Sequence, residues 1–158
     1  MYIHLHSEIR RGIKSNKFRS EVHKAGLNIL YTAWWLKTMT SKELKKYGLT
    51  SEQFNVLRIL KGKHPEQMCV RDVVGRMIEK NSNVPRIIDR LELKKLVRRS
   101  TSLNDKRETA ISLTEAGINI LELATGKVNK VFEDTIVMKE TSAEALNKLL
   151  EEIRKNEK

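Results

Sequence analysis

Cys69 is the only cysteine of this 158-residue chain. No internal disulfide can form, which suits a reducing compartment. With two prolines, seven glycines and 5% aromatics, the composition points to a mostly helical protein. No run of about 18 apolar residues occurs, so no transmembrane helix is indicated and no membrane partner is expected. Met1-Tyr2-Ile3-His4-Leu5-His6 lacks the long apolar stretch of a secretory signal, and a cytoplasmic location is expected. His4, His6, His23 and His64 have no metal-ligand spacing with Cys69. No Ser-His-Asp context, phosphate-cradling glycine loop or carboxylate pair stands out either. No metal, no cofactor and no enzymatic activity are therefore expected.

What the chain does have is positive charge. A net +11 favours polyanionic partners, and the charge is concentrated. Between residues 81 and 107, Arg86, Arg90, Lys94, Lys95, Arg98, Arg99, Lys106 and Arg107 face only Asp89, Glu92 and Asp105. Residues 115–158, by contrast, hold more Asp and Glu than Lys and Arg. Concentration in one segment favours DNA over loose membrane or RNA association.

Apolar periodicity predicts a long first helix from about Lys17 to Tyr47, striped by Val22, Ile29, Leu30, Ala33 and Leu36. Gly48 suits its left-handed end. Thr50-Ser51-Glu52-Gln53 forms a capping box that opens a second helix through Phe54, Leu57 and Leu60. A short helix from about Cys69 to Met77, a turn over Ile78 to Asn81 and an amphipathic helix from Ser82 to about Lys94 follow. Pro85 fits the first turn of that last helix, where its missing N–H has no partner to lose. Val84, Ile87, Ile88 and Leu91 form its apolar stripe, while Asn83, Arg86, Arg90 and Lys94 fall on another face. Short helix, turn and basic amphipathic helix is the pattern of a helix-turn-helix.

Two strands come next, Val97 to Ser102 and Glu108 to Leu113, around a turn over Leu103 to Arg107. Thr114 then caps a helix to about Lys139. Thr141-Ser142-Ala143-Glu144 has the pattern of a second capping box, ahead of a stripe of Leu146, Leu149, Leu150 and Ile153. The fold class is mainly α with a small β-hairpin wing: a winged helix-turn-helix with N- and C-terminal dimerisation helices. The expected division is one domain over 1–158, with a DNA-binding core at 50–113 and dimerisation helices at 17–47 and 114–155.

In this order and spacing the motifs resemble the multiple-antibiotic-resistance-regulator (MarR) family of winged-helix transcription factors. The most specific part is Asp105-x-Arg107 with Ile111-x-Leu113-Thr114-x-x-Gly117. Gly48-Leu49-Thr50 and Val84-Pro85-Arg86-Ile87-Ile88-Asp89-Arg90-Leu91 support it. The resemblance implies a homodimer gripping a pseudo-palindromic operator in double-stranded DNA, most often as a repressor. It places Ser82 to Arg90 in the major groove, Pro85 included, with Asn83 and Arg86 as base readers. Arg107 would enter the minor groove at the wing, supported by Asp105. Arg98, Arg99 and Lys106 would contact phosphate. It also implies a pocket for a small aromatic or anionic effector between arm and reading domain, for which Tyr31, Trp34, Trp35 and Met39 are the candidates. The chain departs from the family at Lys95, where glycine is usual before the wing, and at Pro85, in place of a small hydroxyl residue.

Each assignment has a plainer counterpart. Aromatics at helical spacing are more often core, and Cys69 is expected to be a small packed side chain rather than a redox sensor. The alternative function is a nonspecific nucleic-acid or chromatin-architecture protein using the same basic surface. A winged fold kept only for protein contacts fits less well with both Arg86 and Arg107 present.

Overall fold

The computed structural model describes residues 17–79, 83–102 and 108–155. Six helices and three short strands are present among them: α1 (Glu21–Lys46), α2 (Ser51–Lys61), β1 (Met68–Cys69), α3 (Val70–Arg76), α4 (Val84–Leu93), β2 (Val97–Thr101), β3 (Thr109–Leu113), α5 (Glu115–Thr135) and α6 (Glu140–Ile153). The chain is mainly helical with a small antiparallel sheet, and the fold is a winged helix-turn-helix. No described helix is long and apolar enough to cross a membrane.

The helix starts follow local hydrogen bonding. Ser20 accepts from the amide of His23 at 3.1 Å, so α1 begins at Glu21 instead of Lys17. The capping box at α2 is complete: Thr50 Oγ1 accepts from Gln53 N, and Gln53 Oε1 accepts from Thr50 N, both at 3.2 Å. The second expected box does not form. Helix α6 starts two residues early, at Glu140, with Lys139 in the cap position and no side-chain cap. Thr141 and Glu144 therefore lie inside the helix, and α5 stops at Thr135, short of Lys139.

The sheet has a third strand that was not expected. Its order is β1-β3-β2, with Met68 opposite Ile111 and Val97 opposite Leu113. Strand β3 is thus central, which explains why Ala110 and Ser112 are buried along with Ile111 and Leu113. A two-residue strand is too short to show alternation in sequence.

Leu57 and Leu60 of α2, Val73 of α3, Val84, Ile88 and Leu91 of α4, Ile111 of β3, and Leu121, Ala124 and Val128 of α5 share one core with Leu44 of α1. The terminal helices contribute little to it. Helix α6 buries none of its residues, and α1 buries only Leu44. Val22, Leu30, Trp34, Leu146, Leu149 and Ile153 are all exposed.

Candidate nucleic-acid interface

Helix α4 presents its outer face because its inner one is fixed in the core. Val84, Ile88 and Leu91 are buried, and Arg86 and Arg90 on the same helix are exposed. Among the described residues neither arginine has a carboxylate within ion-pair distance. Both guanidiniums are therefore available to a polyanion. Pro85 sits in the first turn of α4 and breaks no helical bond.

Asn83 is the N-cap of α4, and its Oδ1 accepts from the amide of Arg86 at 3.2 Å. Pairing with adenine uses both the oxygen and the amide nitrogen of an asparagine. In this geometry that oxygen already serves the helix cap. Ser82, Asp105, Lys106 and Arg107 lie outside the described residues.

Three basic residues of this region, Arg98 and Arg99 of the expected phosphate contacts among them, have partners within the protein. Lys94 is the C-cap of α4, and its ammonium donates to the carbonyl of Gly48 and, at 2.9 Å, to Gln53 Oε1. It ties the end of α4 to the corner between α1 and α2 instead of lining the outer face. Arg98 Nε donates to Ser112 Oγ across the sheet at 3.1 Å. Arg99 pairs with Asp89 and, at 2.9 Å, with Glu92, both on α4. It does not project as the free phosphate ligand expected from sequence.

The turn from α4 to the wing keeps the geometry that glycine usually supplies. Lys95 has φ 58, in the left-handed region. Lys95 N donates to Glu92 O at 2.8 Å and Leu96 N to Leu91 O at 3.0 Å, the paired bonds of a Schellman end. The same motif closes α1 at Gly48 (φ 66), where Leu49 N donates to Leu44 O at 3.0 Å. The start of α5 then locks the Lys95 turn. Thr114 Oγ1 donates to Lys95 O at 2.7 Å and accepts from Gly117 N at 3.0 Å, while Thr114 N donates to Leu96 O at 3.1 Å. Thr114 and Gly117 thereby aim the wing strands relative to α4.

Cys69 pairs with Ala110 in the sheet and precedes α3. The Asp72 side chain beside it raises the thiol pKa above its ordinary value, partly offset by the Asp72 backbone amide, with burial and the charges of Asp72 and Glu108 adding to the rise. Arg71 pairs with Glu108 at 3.2 Å. A protonated thiol is a poor nucleophile. Asp72→Asn should therefore speed iodoacetamide labelling of Cys69 at neutral pH; labelling no faster than in the parent would contradict the assignment. Among the described residues no group of three or more His, Cys, Asp or Glu is placed to hold a metal.

A cavity of about 290 Å³ lies between α1, α2, α5 and the segment that follows α3. Leu36, Leu44, Phe54, Met77, Val128 and Phe132 give it apolar walls. Lys37 and Glu79 close one side with an ion pair of 2.6 Å, and the bond to Glu79 raises the lysine pKa. None of Tyr31, Trp34, Trp35 and Met39 lines this cavity. Trp34 and Trp35 are 60% and 40% exposed, and Met39 packs toward Thr135 of α5. At 100° per residue, Leu36, Thr40 and Leu44 form the inward row of α1, and the tryptophans fall outside it.

Comparison with known proteins agrees with this geometry. Residues 38–123 match the family described as Transcriptional regulator SarA/Rot. The HTH-type transcriptional regulator MgrA of Staphylococcus aureus is 32% identical over 111 residues, covering 70% of this chain and 74% of MgrA. Two solved structures share the fold. The organohalide-sensing regulator RdhR-CbdbA1625 in its 2,4-dichlorophenol-bound form has a TM-score of 0.77 at 22% identity, covering 87% of this chain and 82% of that one. The S. aureus MepR–DNA complex has a TM-score of 0.72 at 22% identity, covering 87% and 97%. A regulator's exposed basic helix beside an anchored wing, together with this sequence match, identifies the chain as a member of the SarA/Rot family of MarR-type winged-helix transcriptional regulators.

Proposed function

We propose that the protein is a homodimeric, sequence-specific DNA-binding repressor whose grip on a pseudo-palindromic operator is relieved by a small effector. The observation that carries this reading is helix α4, anchored on one face and offering on the other Arg86 and Arg90, which have no carboxylate partner among the described residues. Arg86 would read a guanine edge in the major groove. Arg107 would enter the adjacent minor groove with Asp105 supporting the wing turn, and Ser82, Arg98 and Lys106 would add backbone contacts.

The dimer reading rests on the terminal helices. Val22, Leu30 and Trp34 of α1 and Leu146, Leu149 and Ile153 of α6 are exposed apolar side chains that a second copy would cover. Residues 17–47 and 114–155 would pair two copies around a two-fold axis, leaving 50–113 of each to read DNA. Two α4 helices fit successive major grooves only when about 34 Å apart. An aromatic or anionic effector in the cavity beside Lys37 and Glu79 would change that separation and so weaken binding without touching DNA. That MepR was solved with DNA and RdhR-CbdbA1625 with 2,4-dichlorophenol supports both halves of the reading by analogy of fold.

Sedimentation of the protein with the duplex it enriches from a random-sequence pool tests the assembly. Two chains per duplex are expected. One chain per duplex, with no dimer in free solution, would contradict the proposal.

A further inference from the structure

Asp89 is an odd residue for a helix that approaches phosphates. It lies on α4 between Arg86 and Arg90 in sequence and is itself exposed. A carboxylate there repels the DNA backbone unless something neutralises it. Arg99 does so from the neighbouring strand. Its Nη2 donates to Asp89 Oδ1, and its Nη1 donates to Glu92 Oε2 at 2.9 Å. Asp89 and Glu92 are one helical turn apart, so one planar guanidinium bridges both.

The strand register explains why the side chain turns inward. Arg99 is paired with Ile111, and Val97 two residues earlier is paired with Leu113. Cross-strand partners share a sheet face, as do residues two apart. Arg99 therefore occupies the face that carries the buried Val97, Ile111 and Leu113 toward the helices. Arg98 occupies the opposite face with Ser112.

We propose that Arg99 is a positioning residue that fixes the angle between the reading helix α4 and the wing through Asp89 and Glu92, and is not a phosphate ligand. The inference rests on the DNA-binding reading above. Helix and wing address adjacent grooves, so an error in their relative angle costs both contacts together. The Lys95 turn restrains one end of the α4–β2 unit, and the Arg99 bridge ties the strand to the helix body three to four residues further along β2.

The two roles predict opposite signs. Asp89→Asn with Glu92→Gln makes the protein more basic, and charge alone would tighten its hold on DNA. If Arg99 positions the wing, the double variant instead binds the enriched duplex about five- to tenfold more weakly, as expected for losing two partly exposed pairs. Arg99→Gln should weaken binding similarly while leaving the salt dependence unchanged, because no phosphate contact is lost. Arg99→Lys keeps the charge but not the bridge, and it should behave like Arg99→Gln. Melting temperatures measured alongside separate this effect from unfolding, and Arg99→Lys is the variant best placed to retain the fold. Tighter binding by the double variant, or a salt slope reduced by about one in Arg99→Gln, would overturn the proposal while leaving DNA binding intact. A parent protein that enriches no duplex would overturn the DNA reading, and this proposal with it.

Discussion

Gly117→Ala is expected to destabilise the protein by ~2–3 kcal/mol and to weaken DNA binding at the same time. A Cβ built at Gly117 lies 2.0 Å from the carbonyl oxygen of Leu96 and 3.0 Å from its carbon. Both are backbone atoms, so no rotamer change relieves the contact. The strained neighbour is the turn that aims the wing: Leu96 O accepts from Thr114 N, and Lys95 beside it already has φ 58. Relief requires α5 to move away from the turn, which breaks the Thr114 bonds and tilts the strands. Gly126 supplies the control, since its Cβ would meet nothing within 4 Å and it lies within α5. Gly126→Ala should raise stability by ~0.5–1 kcal/mol through helix propensity. Urea midpoints of the two variants check the pair; similar midpoints would contradict the role given to Gly117.

Arg86→Ala carries the second large effect, an expected loss of ~1–3 kcal/mol in operator affinity with relaxed preference at one base. The residue is on the exposed face of the first turns of α4, the part of a reading helix that reaches base edges. Its neighbours have other duties. Asn83 caps the helix with its oxygen, Lys94 is tied to Gly48 and Gln53, and Arg99 is held by Asp89 and Glu92. The loss should therefore fall on the enriched duplex far more than on bulk DNA. Equal weakening of both, measured by fluorescence anisotropy, would reassign Arg86 to the phosphate backbone.

Much of this was legible in the sequence, for physical reasons that differ by segment. The stripe of Val84, Ile88 and Leu91 and the box of Thr50 and Gln53 are local signals, and both are present in the structure. Gly48 likewise shows its left-handed backbone. Signals that depend on a distant partner were not visible. Strand β1 exists only because β3 has an edge to offer at Ala110 and Ile111. Arg99 looked like any other cation until the sheet register turned it toward α4. Lys94 fell on the outer face by helical phase, but the helix ends there and the side chain reaches a carbonyl 46 residues away in sequence. The aromatic cluster of α1 does not line the cavity, whose apolar walls come mainly from other elements. Lys95 stands where the family usually has glycine, and the turn still adopts the left-handed end, held by Thr114 and closed over by Gly117.

The central claim is that the exposed face of α4 reads sequence and does not merely attract phosphate. Competition at fixed salt between the enriched duplex and bulk genomic DNA tests it most directly, because the electrostatic term is common to both. A preference of ~10³ or more for the enriched duplex is expected. Equal affinity for the two would contradict the account and favour a nonspecific nucleic-acid-binding protein.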